Sequence, residues 1–303
     1  MNQRLYERLT SVTAKERVLL SESMKKHTTF RIGGPADYFV MPQSEGEVKR
    51  TVAVCREEQV PYSIVGNGSN LLVSDEGYRG VVIQIFREMS GVQVEGTRIQ
   101  AQAGASLAKI AAAALEAGLA GFEFAAGIPG TLGGACVMNA GAYGGEMKDV
   151  LVNVTVLDEA GEIRRIENTE LELGYRTSII ARKGYIVLGA ELELEQGNSD
   201  EIRELMNELR EKRVSKQPLE YPSAGSTFKR PEGYFAGKLI QDAGLRGFRV
   251  GDAMVSEKHC GFVINAGEAS AAEVDSLMKQ VSERVQAKFG VGLEPEVKRL
   301  GEF

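Results

Sequence analysis

The chain has 303 residues, 43% hydrophobic and 26% charged, the balance of a folded globular protein large enough for two or three domains. A net charge of −6 disfavours broad nucleic-acid binding, although 36 Lys and Arg residues suffice to line a local anion pocket. Three scattered cysteines (Cys55, Cys136, Cys260) and two histidines (His27, His259) exclude a disulfide framework and a transition-metal centre, so redox chemistry would need an organic cofactor. The polar start Met1-Asn2-Gln3-Arg4 and the lack of a long apolar run predict a cytoplasmic chain with no membrane span.

Along the chain, Leu5, Leu9 and Val12 recur at helical spacing and predict an amphipathic helix within residues 1–20. Thr28-Thr29-Phe30-Arg31-Ile32-Gly33-Gly34 reads as a glycine-punctuated strand region. Ser44 and Glu47 form a capping-box pattern ahead of Val48, Val52 and Cys55, and Pro61 closes that helix. Tyr62-Ser63-Ile64-Val65 is a strand that runs into Gly66-Asn67-Gly68-Ser69-Asn70, completing a β-α-β unit. Three patterns then alternate with period two: Val92/Val94 with Ile99/Ala101/Ala103 around Gly96; Val150/Val152/Val154/Val156; and Ile186/Leu188/Ala190/Leu192/Leu194. They predict an antiparallel sheet with one buried face. An Ala-rich helix from Ser106 to Glu116 stops at Gly118. A polar helix from about Ser199 to Arg213 carries an apolar face of Ile202, Leu205, Met206 and Leu209. Gln217-Pro218 and Tyr221-Pro222 mark a boundary, and a helix capped by Ser270 and Glu273 and closed by Gly290 anchors the last part.

Five segments can carry chemistry. Strand Ile64-Val65 leading into the 66–70 glycine loop is how backbone N–H groups reach a diphosphate, or an ordinary strand exit; Leu71 breaks the dinucleotide fingerprint. The glycines of 127–134 and 139–144 suit close backbone approach to a flat or phosphorylated ligand, or a loop with several positive φ angles. Arg176 in Tyr175-Arg176-Thr177-Ser178 can clamp an anion or form a surface ion pair. Ser226 in Ala224-Gly225-Ser226-Thr227-Phe228-Lys229 is a functional hydroxyl or a loop cap; Phe228 spoils a hydrolase elbow. Of Glu294 and Glu296, at most one is expected in a given cleft.

Together these segments resemble the UDP-N-acetylenolpyruvoylglucosamine reductase family, in order and over nearly the whole chain: 26–34, 65–73, Gly127-Ile128-Pro129-Gly130, Asn139-Ala140-Gly141-Ala142, 175–178, Ala224-Gly225-Ser226 and Glu294-Pro295-Glu296-Val297. The resemblance implies an α+β chain with an FAD-binding fold of the PCMH/vanillyl-alcohol-oxidase type. It implies two FAD-binding subdomains, 1–80 and 81–215, and a smaller α+β substrate domain, 216–303. It also implies NADPH-dependent reduction of a nucleotide sugar, UDP-N-acetylenolpyruvoylglucosamine, in peptidoglycan synthesis, by a monomer with non-covalent FAD. Arg176, Ser226 and Glu296 match the family's catalytic residues. Gly66, Asn67, Gly68, Ser69, Asn70, Leu71, Gly127, Ile128, Pro129, Gly130, Gly133, Gly134, Gly141, Ala142 and Arg176 are the implied cofactor residues. Lys216, Ser226, Lys229 and Glu296 are implied substrate contacts, without nucleic-acid, membrane or metal partners. Arg230 after Lys229, and the short span from Arg176 to Lys216, resemble the shorter, second type of the family. The alternative is another FAD-dependent oxidase or dehydrogenase of this fold, acting on a small alcohol or sugar.

Overall fold

The computed structural model describes residues 2–303. Helices start where the sequence offers a cap. α1 (Gln3–Val12) begins at Asn2, whose side-chain oxygen accepts the Leu5 N–H, and it buries Leu5 and Leu9. Ser44 caps α2 (Glu45–Glu57), but the Glu47 carboxylate turns away to the Gln43 N–H and to Arg17, so only half of the predicted box forms. α3 (Leu107–Glu116) starts at Ser106 and ends before Gly118, at φ +66°.

The chain forms two compact units. The first comprises residues through Leu19, Tyr38–Asn67 and Gly80–Arg213. Its largest sheet has five antiparallel strands, in the order β12 (Ile163–Glu167), β11 (Leu151–Leu157), β13 (Ile186–Glu193), β7 (Arg98–Gln102) and β6 (Val92–Glu95). The β6–β7 hairpin turns at Gly96, as the spacing predicted. One face is buried on the outer strands, as in β7, where Ile99 and Ala101 are buried and Arg98 and Gln100 exposed, but the central strand departs from the expectation. β13 is buried at every residue except Glu193: it is the central strand, between β11 and β7, with α4 (Leu132–Val137) packed on it, and the Glu191 carboxylate is enclosed with Asn153. Ile99, Leu188 and Leu192 are fully buried; such a side chain contributes roughly 1.5–3 kcal/mol. The β11 alternation also breaks: two register shifts against β13 bury Asn153, which donates to Glu191, and leave Val152 half-buried.

A second sheet has the order β1 (Val18–Ser23), β2 (Pro35–Val40), β5 (Tyr78–Gln84), β3 (Tyr62–Val65). β3 and β5 run parallel, Tyr62 opposite Val81, and β5 lies between β3 and β2, the strand that precedes α2 in place of the predicted 28–34. β8 (Leu119–Ala120) pairs with β14 (Glu195–Gln196), and β9 (Gly141–Ala142) with β10 (Gly145–Glu146). α5 (Ile179–Lys183) precedes β13. α6 (Ser199–Lys216) is longer than predicted and less embedded: Ile202 is buried, but Leu205 is exposed.

The second unit comprises Leu20–Asp37, Gly68–Arg79 and Val214–Phe303. Residues 28–34 are not a strand. Thr28 turns its hydroxyl back to both the N–H and the carbonyl of Ile32, and Arg31 takes φ +56°, while Phe30 and Ile32 are fully buried. β4 (Leu71–Val73) pairs in parallel with β18 (Lys298–Leu300). β15 (Arg249–Val250), β16 (Ala253–Val255) and β17 (Val263–Asn265) form a meander beside α7 (Ala236–Asp242) and α8 (Ala271–Phe289). α8 has the full capping box of Ser270 and Glu273 and a left-handed Gly290, as predicted. No helix among the described residues is long and apolar enough to cross a membrane.

Candidate active site

In the first unit, β3 ends at Val65 and Gly66 passes against the Thr131 turn. A Cβ on Gly66 would lie 2.5 Å from the Thr131 hydroxyl, so only glycine leaves the strand there without displacing the turn. The Gly66 carbonyl accepts from the Gln84 side-chain amide at 3.2 Å. The turn is pinned from behind, Leu132 N–H to Ala105 O and Gly133 N–H to Ala103 O, both at 2.8 Å. Gly66, Gly130, Gly133 and Gly134 are thus brought together. Gly127, Ile128 and Pro129 lie on the approach to this turn, at its partly exposed rim. The loop continues through Asn67, Gly68, Ser69 and Asn70 to Leu71, the first residue of β4. The N–H groups of Asn67–Asn70 donate to no backbone carbonyl among the described residues. Within the first unit, the glycine strand exit at Gly66–Asn67 against the Thr131 turn is bare backbone of the kind that fits a diphosphate.

Arg213 was not predicted. A Cβ on Gly127 would lie 3.2 Å from its guanidinium, and burial lowers its pKa from the usual arginine value. Its signal in the sequence is only a Lys-Arg pair before the Gln217-Pro218 break.

Two tight hairpins follow. In the β9–β10 hairpin, Tyr143 and Gly144 both take positive φ, +53° and +96°, the two-residue turn that matches strand twist. Gly141 and Ala142 line one arm. In the second hairpin Gly174 and Thr177 exchange both backbone hydrogen bonds, which leaves Tyr175 and Arg176 at the tip. Arg176 has φ +54°, a strained value for a non-glycine residue. Three contacts hold it: the guanidinium lies 5.4 Å from the Tyr175 ring centroid, Ser178 donates to Val137 O at 2.6 Å, and buried Asn139 donates to Gly174 O. Lys148, then Asn139 and Arg176, hold the Glu146 carboxyl below the ordinary carboxylate range against the opposing effect of burial.

In the second unit Gly225, at φ +75°, kinks the chain ahead of Ser226, which is exposed. Thr227 is buried and sits in a short antiparallel ladder with the C-terminal segment: Glu296 N–H to Thr227 O at 2.8 Å and Lys229 N–H to Glu294 O at 2.9 Å. This ladder sets Glu296 opposite Thr227, the residue next to Ser226. Glu296 is buried and its carbonyl accepts from the Asn70 side chain, whereas exposed Glu294 pairs with Lys229. Lys216 is exposed at the end of α6.

Residues 36–167 match the FAD binding domain family, and residues 217–300 match the family described as UDP-N-acetylenolpyruvoylglucosamine reductase, C-terminal domain. Glycine-lined donor loops in such a fold define an FAD-dependent oxidoreductase, and the α+β class expected from the sequence is the one observed. The chain is 56% identical to the UDP-N-acetylenolpyruvoylglucosamine reductase of Agathobacter rectalis, covering 100% of both chains. It is 54% identical to that of Clostridioides difficile, covering 99% of both. The crystal structure of the Thermus caldophilus enzyme (MurB) superposes with a TM-score of 0.79 at 37% identity, over 94% of this chain and 98% of that one. The chain belongs to the UDP-N-acetylenolpyruvoylglucosamine reductase family.

Proposed function

We propose that this chain reduces UDP-N-acetylenolpyruvoylglucosamine to UDP-N-acetylmuramate with NADPH, through non-covalently bound FAD, in peptidoglycan synthesis. The observation that carries this reading is the full-length identity to reductases of that name. The geometry supports it in an exposed Ser226 fixed on the same ladder as buried Glu296. We assign the cofactor's diphosphate to the 66–71 loop and the 127–134 turn, with Gly141, Ala142 and Arg176 contacting other parts of it.

When bound, FAD supplies the relay of a hydride from NADPH to the terminal alkene carbon of the enol ether. The alkene's electron pair then moves onto the alpha carbon and spreads into the substrate carboxylate. Arg176 is assigned to meet that charge; a guanidinium stays protonated and its turn is already ordered, so little reorganisation is needed. Glu296 is assigned to the substrate carboxyl as charge gathers there. Ser226 donates its hydroxyl proton to the alpha carbon, forming the new C–H bond, and the alkoxide regains a proton from water. A hydroxyl is a weak acid, so the donor works only against a strongly basic carbon. Lys216 and Lys229 are assigned to the substrate's diphosphate. The reaction is placed in the cytoplasm, with a monomer as the working form.

The test is anaerobic stopped-flow absorbance at the flavin band. NADPH is expected to bleach it, and the enolpyruvyl substrate to restore it. A reduced flavin that ignores this substrate and reacts rapidly with oxygen would overturn the reading in favour of an oxidase.

A further inference from the structure

We infer that Thr227 is a positioning residue for the reaction, holding Ser226 and Glu296 in register, and that His259 sets the turn on which Thr227 hangs. This rests on the reading of Ser226 as proton donor. Thr227 is 1% exposed, and each of its hydrogen-bonding groups faces a different segment or atom. Its N–H donates to Gly261 O at 2.9 Å, its hydroxyl oxygen accepts from the Val263 N–H at 2.8 Å, and its carbonyl accepts from the Glu296 N–H at 2.8 Å. On the other side of Ser226, a Cβ at Gly225 would meet nothing within 4 Å. Upstream, the next anchors lie at Ser223, which bridges to Ile264 and accepts from the Thr29 hydroxyl at 2.6 Å, and at buried Ala224, so Thr227 is the anchor adjacent to Ser226.

The gripping turn is itself built from side chains. Ser256 Oγ, buried, accepts from the N–H groups of Lys258 and His259. His259 Nδ1 accepts the Gly261 N–H at 3.1 Å, so the ring proton resides on Nε2. The ring occupies space that a side chain at Gly261 or Gly237 would invade, 2.9 and 3.3 Å from Cε1, and packs edge-on against Phe262. Burial lowers the His259 pKa, keeping the neutral acceptor form. His259 thus holds the Gly261 N–H, and the carbonyl of the same residue, in the next peptide plane, accepts from Thr227. No role in the sequence reading fell to either residue.

The experiment uses the holoenzyme and separates the two half-reactions. Thr227→Val keeps the side chain's shape and removes the acceptor of the Val263 N–H. It is expected to slow substrate-driven flavin reoxidation about 10–100-fold, the scale of a sub-ångström to ångström misplacement, while NADPH reduces the flavin at the wild-type rate. Thr227→Ser, which keeps the hydroxyl, restores the rate. His259→Leu slows the same step, and His259→Asn, whose Oδ1 falls where Nδ1 was, restores it; this pair carries the test if Thr227→Val fails to fold. Thr227→Val and His259→Leu combined should cost less than the product of their separate effects, since they break one chain of contacts. Equal rates for Thr227→Val and Thr227→Ser, or equal rates for His259→Leu and His259→Asn, would overturn the inference. So would losses shared equally by the NADPH step. Ser226→Ala separates this failure from that of the parent reading. If it reoxidises at the wild-type rate, Ser226 is not the donor; if it is slow while the folded Thr227 and His259 variants are normal, only the positioning role falls.

Discussion

The two units place atoms in opposite ways. In the first, the surface proposed for the cofactor is mostly main chain, with Arg176 as its charged side chain. Gly66 slides past Thr131, the Asn67 amide leads away from it, and two hairpins turn at residues of positive φ. In the second, the atoms proposed for catalysis are the side chains of Ser226 and Glu296, and the main chain around them is already engaged through Thr227. The contrast fits what each is proposed to recognise. A diphosphate is met by fixed N–H dipoles, which require bare backbone. A proton transfer requires one particular hydroxyl in one place, which requires that the backbone beneath it not move.

If this division holds, the largest effects fall on side chains in the second unit and on the one guanidinium in the first. Ser226→Ala is expected to cost about 10²–10⁴-fold in substrate-driven reoxidation, read by stopped flow, with flavin reduction by NADPH retained. Arg176→Ala should cost about 10²–10³-fold in the same step. Arg176→Lys should recover only part of it, because a point charge lacks the planar fork. Backbone-directed changes should act on cofactor retention instead. Gly66→Ala forces a Cβ to 2.5 Å from the Thr131 hydroxyl, and the flavin-to-protein absorbance ratio after purification should fall. A Gly66→Ala enzyme with full flavin and a slow proton step would break the comparison.

Smaller effects test the scaffold. The Asp75 carboxylate accepts the N–H groups of Ala271 and Ala272 at the start of α8, at 2.8 and 3.0 Å. Asp75→Ala should lower stability by about 1 kcal/mol, measured by urea unfolding. Burial works to raise the Asp275 pKa, but the ion pairs with Lys279 and Arg299 outweigh it and leave the pKa below its ordinary value of 3.8. A carboxylate depressed in the folded state adds stability that is full above its unfolded pKa. That stability fades as pH falls through the folded one. Asp275→Asn should therefore flatten the acid limb of a melting-temperature profile below about pH 4 and matter least of these changes to catalysis.

Much of the framework was legible because local chemistry and tertiary packing agree. Ser270 and Glu273 cap α8, Gly290 ends it, and Val274, Leu277, Val281 and Val285 are buried as their spacing demanded. Residues 28–34 misled because Thr28 satisfies Ile32 through its hydroxyl rather than through a ladder, which β propensity cannot reveal. The β11 alternation misled because a bulge carries Asn153 inward toward Glu191, a partner 38 residues away. In the candidate site, motif order pointed to Arg176, Ser226 and Glu296, but not to what fixes them. The left-handed Arg176 and the buried Thr227 depend on contacts distant in sequence, and the His259 turn on local side-chain-to-backbone bonds; no periodicity encodes either.

The second unit is assembled from three stretches of chain, and the shorter two hold its edges: β4 lies beside β18, and Asp75 closes the start of α8. A gene fragment beginning at residue 216 would carry Ser226, Thr227 and Glu296 yet expose an unpaired strand and two uncapped amides. The unit is therefore poorly suited to life as a transferable cassette. Shuffling it between enzymes would succeed only if residues 20–37 and 68–79 travelled with it, which ties the inheritance of its chemistry to the early part of the chain.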